Sequence, residues 1–222
     1  MTAPVGPDGD AARFGTVAFY AALGRAFVVM CTVVPVLALV ELLDRMTGGE
    51  LDRLFGIRPG VVSGIDGIFL APLVHADFDH LVSNAAPLVL LGTFVLASGV
   101  RRFVLSTLLI AVVSGLGVWL ATPRSYLVVG ASGIIFGWLG LLLVRGIVEH
   151  SPWNLGVTLI VGLLYGWQVV ALFPTDQRIS WQGHLFGFIG GAVAAVVFRR
   201  RPPRHDEPLD ELSGAAELAP PA

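Results

Sequence analysis

Lysine is missing from this chain altogether, and its 14 basic residues are all arginine. Cysteine occurs once, which excludes an internal disulfide; Cys31 falls in an apolar run and reads as a buried, inert thiol. Charged residues make up only 14% of the total, against about a quarter in soluble domains. That scarcity excludes an ordinary water-soluble domain, and a net charge of −2 offers no footing for nucleic acid. A cleavable signal is not evident, because Met1–Gly15 is polar, holds Pro and Gly, and carries acids before its first arginine. What the chain has in excess is apolar residues: 55% of 222, with a mean hydropathy of +0.79.

A helix crosses a bilayer with about 20 mostly apolar residues. Six stretches qualify: Ala26–Leu43, Leu81–Val100, Phe103–Ala121, Val128–Val144, Leu155–Phe173 and Gln182–Phe198. The fold class they predict is all-α, a polytopic six-helix membrane bundle over residues 21–198. The flanks, residues 1–20 and 199–222, are polar or rich in Pro, Gly and charge, and are expected to be disordered. With six spans both termini share a side. That side holds Arg13, Arg25, Arg101, Arg102, Arg145, Arg199, Arg200, Arg201 and Arg204, nine of the 14; the other holds Arg45, Arg53, Arg58, Arg124 and Arg178. The positive-inside rule places both termini in the cytoplasm of a cell-membrane protein.

The first outer connection, Asp44 to Asp79, is far longer than a usual loop. Leu51, Leu54, Phe55 and Ile57 recur at near-helical spacing, followed by Gly60, Gly64 and Gly67 and the apolar stretch Ile68–Val74. An amphipathic segment lying in the outer interface accounts for this pattern better than a seventh span. Glu41, near the end of the first span, is expected to face that interface.

Polar side chains inside apolar runs carry the chemistry. The second, fourth and sixth spans all run from outside to inside, and each has its unusual residues near its start: His80-Leu81-Val82-Ser83-Asn84, Gly130-Ala131-Ser132-Gly133, and Gly183-His184. Three co-oriented helices thus bring Ser, His, His and Asn to similar depth, within about two turns of the outer face. A serine hydroxyl becomes nucleophilic when a histidine takes its proton. Acyl transfer further needs donors for the developing oxyanion, and His80 and Asn84, four apart, share a helical face. No carboxylate in the apolar part of these helices stands by to orient His184; Asp176 is in the preceding loop, so the arrangement is a dyad. Phe136, one turn below Ser132, offers a ring on which the imidazole can stack. Gly133-x-x-x-Gly137 and Gly187-x-x-x-Gly191 have the spacing that lets two helix backbones approach, which would bring Ser132 and His184 together.

Taken singly, each feature has a bland explanation. A lone serine in a membrane helix usually bonds its own i−4 carbonyl, and a lone histidine at a helix end usually sits in the interface. Independent interfacial residues have no reason to collect on three co-oriented helices, and the combination favours a site. His75, in the loop, is expected to face water or a headgroup, and His150 and His205 lie in polar stretches without a role.

In this combination the residues resemble the rhomboid family of intramembrane serine proteases. The resemblance rests on His75-x4-His80-x3-Asn84, on Gly130-x-Ser132-Gly133 with Gly137, and on His184-x2-Gly187-x3-Gly191, and it covers about Ala21 to Phe198. It implies Ser132 as nucleophile, His184 as general base, and His80, Asn84 and the Ser132 backbone N–H as the oxyanion hole, with Gly130, Gly133, Phe136, Gly137, Gly187 and Gly191 in support. The fifth span with the loop Pro174–Ser180 resembles the family's substrate gate. Implied partners are the lipid bilayer and single-span transmembrane proteins cut in or near it; no cofactor or metal is implied. Phe136 stands where several relatives have Tyr, and the Trp-Arg pair common in the first loop is absent from Asp44–Asp79. A non-catalytic, derlin-like scaffold is the alternative. A metalloenzyme using His75, His80 and His184 lacks paired ligands on one helix face, and a transporter would call for intramembrane acids or broken helices near the midplane.

Overall fold

The computed structural model describes residues 14–174 and 180–199. The expectations for residues 1–13, for Asp176 and Arg178 in the loop before the last span, and for the tail from Arg200, including His205, lie outside the described residues. Among the described residues eight α-helices follow one another: α1 (Val17–Met46), α2 (Glu50–Phe55), α3 (Gly67–Leu70), α4 (Phe78–Ala97), α5 (Val100–Ala121), α6 (Ser132–Glu149), α7 (Pro152–Tyr165) and α8 (Trp181–Val197). Five stretches, α1, α4, α5, α6 and α7 with its 3₁₀ continuation to Leu172, are long and apolar enough to cross a membrane; α8 is apolar and 17 residues long.

Local chemistry sets the boundaries. Thr16 Oγ1 accepts from Phe19 N, Asp77 accepts from His80 N at 2.7 Å, and Ser180 accepts from Gly183 N, so α1, α4 and α8 all start on side-chain caps. Gly99, at φ +118, makes the tight turn from α4 to α5. Helix α1 begins at Val17, and the ring of Phe14 ahead of it stacks on Trp153 at 5.2 Å.

The core is a seam between α4, α6 and α8, with Leu91, Val95, Ile135, Leu139, Leu141 and Ala194 buried in it. Around the perimeter Val28, Val36, Leu39, Leu108, Leu120, Leu163 and Val193 are exposed. A soluble protein does not carry apolar surface on that scale, whereas lipid is its natural solvent. Glycines let α8 lie directly against α6: a Cβ on Gly187 would strike the Gly133 carbonyl, one on Gly191 the Gly137 carbonyl, and one on Gly140 the Phe188 carbonyl. The glycine spacing in the sequence and the packing agree here.

The long first connection folds as α2, a 3₁₀ turn at Val62–Gly64, α3 and a second 3₁₀ turn at Ala71–Leu73. It turns Ile57, Ile68, Ala71 and Val74 inward and leaves Val62 and Phe69 outside, as an interfacial amphipathic element should. It is pinned to its neighbours by backbone: Gly60 N donates to Trp119 O at 2.9 Å, and Trp119 Nε1 donates to Val61 O at 2.9 Å. Two local expectations are corrected. Glu41 does not face the interface but is 2% exposed, because Arg45 Nε, one turn on, donates to it at 2.9 Å and folds it inward. Cys31 is half-buried instead of buried.

Candidate active site

The fourth span does not begin at Val128. Val128 forms an isolated antiparallel bridge, with Ile57 N donating to Val128 O at 2.9 Å and Val128 N donating back at 3.1 Å. Gly130 N then donates to Ala71 O at 2.9 Å, and Gly130 adopts φ +107, a region L side chains avoid. A Cβ there would also run into the His80 ring. The helix therefore starts only at Ser132, which becomes its first residue. Ala131 provides no side-chain cap, so the first turn of α6 directs uncapped N–H groups and the positive end of its dipole to the place where Ser132 stands.

Ser132 Oγ and His184 Nε2 are 2.9 Å apart, although 52 residues separate them in the chain. The other ring nitrogen, Nδ1, is 3.2 Å from the Ala171 carbonyl on the 3₁₀ stretch after α7. A carbonyl only accepts, so Nδ1 carries the proton, leaving the Nε2 lone pair for the Ser132 hydroxyl. The ring of Phe136 stacks on the imidazole, with centroids 4.0 Å apart and planes 13° from parallel. His184 is thus held by a carbonyl at one edge and an aromatic on its face. Among the described residues no carboxylate takes part in these contacts.

Asn84 is buried, and its Nδ2 has no acceptor among the described residues. His80 is partly buried, and its ring lies against Gly130, two residues before Ser132. Both expected oxyanion donors accordingly sit on the first turns of α4, beside the segment that enters α6. His75 is corrected. Instead of facing water or a headgroup it is 0% exposed, its ring set edge-to-face against His80 at 5.2 Å. Burial, with the charge of His80 second, pushes its pKa down to about 4. Gln182 is buried, its Nε2 3.4 Å from the Ala121 carbonyl, while Asp77 and Asp79 are exposed at the start of α4.

Two contributors escaped the sequence reading. Ser114, midway along an apolar run of α5, donates its hydroxyl to the Gly183 carbonyl at 2.9 Å and lies close against Gly133. Its signal was the small-residue cluster Ser114-Gly115-x-Gly117. The Ala171 carbonyl had none, since a backbone acceptor has no residue signature. A cavity of about 30 Å³ lies between Ser114, Gly130, Ser132, Gly133, Ser180 and Gly183, enough for a water beside the hydroxyl. Among the described residues no group of three His, Cys, Asp or Glu side chains is arranged to hold a metal ion.

Known proteins resemble this chain in sequence. An uncharacterized protein of Mycobacterium tuberculosis is 41% identical over 176 residues, covering 75% of this chain and 72% of that protein. One from Mycobacterium leprae is 37% identical over 180 residues, 77% of this chain and 70% of its own length. The rhomboid protease GluP of Bacillus subtilis is 33% identical over 169 residues, 72% of this chain but only 32% of GluP. The family model of the rhomboid domain matches residues 64–201, the stretch that carries His75, His80, Asn84, Ser132 and His184. A helical membrane bundle with these motifs in this order, matched by that model, belongs to the rhomboid family.

Proposed function

We propose that this chain is an intramembrane serine endopeptidase that cuts transmembrane segments of other membrane proteins. The observation that carries the reading is the 2.9 Å contact between Ser132 Oγ and His184 Nε2, with Nδ1 committed to the Ala171 carbonyl. His184 Nε2 takes the hydroxyl proton as Oγ bonds to the substrate carbonyl carbon. The resulting oxyanion receives hydrogen bonds from the Ser132 N–H, the Asn84 amide and His80. His184 then gives its proton to the leaving nitrogen, the C–N bond breaks, and an acyl-enzyme remains. Water, deprotonated by the same imidazole, releases the acid and restores Ser132.

A substrate helix must unwind first, because its carbonyls are otherwise hydrogen-bonded within the helix. The site's place at the N-terminal ends of α4, α6 and α8 supplies water and donors for an unwound strand. The arginine asymmetry supports reading those ends as extracytoplasmic and both termini as cytoplasmic. Residues 21–198 are read as the membrane domain, with residues 1–20 and 199–222 as polar flanks.

The test is covalent labelling of detergent-purified protein by a fluorophosphonate, comparing the native chain with Ser132→Ala and His184→Ala. Label on the native protein alone is the expected result. Equal labelling of all three, or none on a native chain that stays folded, overturns the protease reading and leaves the non-catalytic scaffold.

A further inference from the structure

His75 stands beside the site without a task in the chemistry above. Its ring is fully enclosed, and neither nitrogen has a hydrogen-bond partner among the described residues. Burying an imidazole without protein partners is costly, so a benefit is to be sought in the ring itself. That ring meets His80 edge-to-face, with centroids 5.2 Å apart and planes at 69°. Arrangements of this kind are favourable between rings.

The backbone around His75 is fixed at both ends. Val74 N donates to Ala71 O, the same carbonyl that receives Gly130 N ahead of Ser132. Two residues past His75, Asp77 caps α4 through the N–H of His80 itself. Both anchors bear on the same few ångströms of the site. His80 projects from the first turn of α4, where an unsupported side chain would sample several rotamers, yet a donor for an oxyanion has to be held within about 0.5 Å of its working position.

We propose that His75 is a positioning residue for the reaction, its uncharged ring holding the His80 imidazole in the orientation from which it donates to the oxyanion. The inference rests on the protease reading, and it makes His80 the only route by which His75 acts. Loss of the wedge should slow the chemical step without changing how a substrate helix binds. With its pKa at about 4, His75 stays neutral across the working range and puts no charge next to His80.

The experiment is a double-mutant cycle in reconstituted vesicles on a single-span substrate, reading kcat, KM and melting temperature. His75→Ala is expected to lower kcat by about 10- to 100-fold with KM unchanged, the scale of a small misplacement at a reacting centre. In a His80→Ala background the same change should cost less than about 2-fold, because two residues acting as one unit do not add. His75→Phe, which keeps a ring and lacks the nitrogens, should restore most of the native kcat. Equal losses in both backgrounds, or a loss that follows KM or the melting temperature, would overturn the proposal. Should His75→Ala not fold, His75→Leu replaces it with the same expected result. Fluorophosphonate labelling of Ser132 in each variant separates the two ideas: label with an additive cycle sinks the wedge alone, whereas no label on the native chain sinks the protease reading beneath it.

Discussion

Asn84 carries an unsatisfied amide on the second turn of α4. Its Nδ2 is buried and has no acceptor among the described residues, a state that natural structures tolerate rarely. An oxyanion would supply the missing partner. Asn84→Ala should therefore lower kcat by about 10²–10³-fold while leaving the melting temperature near or above that of the native protein, measured by substrate turnover and thermal unfolding in detergent. Phe136 acts differently, since its ring covers the face of His184 without a polar contact. Phe136→Leu keeps bulk but loses the stack, so kcat should fall about 10-fold with folding intact, whereas Phe136→Tyr should be close to native. Ser114→Ala deletes a hydrogen bond worth about 1 kcal/mol between α5 and the turn bearing His184; slower turnover with a slightly lower melting temperature is the expected outcome.

Among the elements, the pair α6 and α8 determines whether there is a site at all. The Gly187 and Gly191 positions each face a backbone carbonyl of α6, so there is no flexible side chain to yield. Gly191→Val should cost about 1–3 kcal/mol or more in overpacking and remove fluorophosphonate labelling together with turnover; a labelled, stable Gly191→Val would contradict this packing. This pairing is readable in the sequence, because the two small-xxx-small stripes Gly133–Gly137 and Gly187–Gly191, just below Ser132 and His184, can dock in few ways. The start of α6 was not readable: hydropathy extends the span back to Val128, but Gly130 at φ +107 and the bridge to Ile57 end the helix at Ser132. The Ala171 carbonyl was invisible for a simpler reason, as any residue type offers one. Ser114 was hidden because an intramembrane serine normally satisfies its own helix. His75 and Glu41 were misjudged as interfacial because distance from a span's end reports depth, not which neighbours enclose a side chain.

At the scale of the whole molecule, the outer loop is tied to α1 by carboxyl groups. Asp44 Oδ1 accepts from Leu51 N at 2.6 Å and from Asp52 N at 3.2 Å, capping α2 from a distance. Asp52 sits above it, and burial, then the charges of Asp44 and Glu41, raise its pKa from 3.8 to about 6, with Arg53 opposing. The folded protein thus holds a proton there that the unfolded chain has lost. Between pH 4 and 6 the native state binds more protons, so stability falls as pH rises through that window and levels off above it. Melting temperatures in detergent across pH 4–7 should show this decline in the native chain and a flatter profile in Asp52→Asn. Arg45 extends the same cluster toward the site, its guanidinium 4.9 Å from the centroid of the Phe78 ring at the head of α4.

The inner end is fastened separately. Glu149 pairs with Arg102 at 3.5 Å and accepts from Asn154 Nδ2 at 2.7 Å, while Thr158 Oγ1 donates to Leu142 O at 2.8 Å. Trp153 adds ring contacts with Phe19 at 4.7 Å and Phe94 at 6.1 Å. These bonds clamp the first half of α7, while its outer half and 3₁₀ continuation expose Leu163, Leu164, Trp167 and Val170. From Thr158 to Ala171 the chain rises about 22 Å, so this element is a lever with a low fulcrum. A swing of only about 5° would carry the Ala171 carbonyl some 2 Å, enough to sever the bond that fixes the His184 tautomer. On the protease reading this one strut also sets the base of the dyad, so any tilt that opened the bundle at that end would disarm the histidine as well.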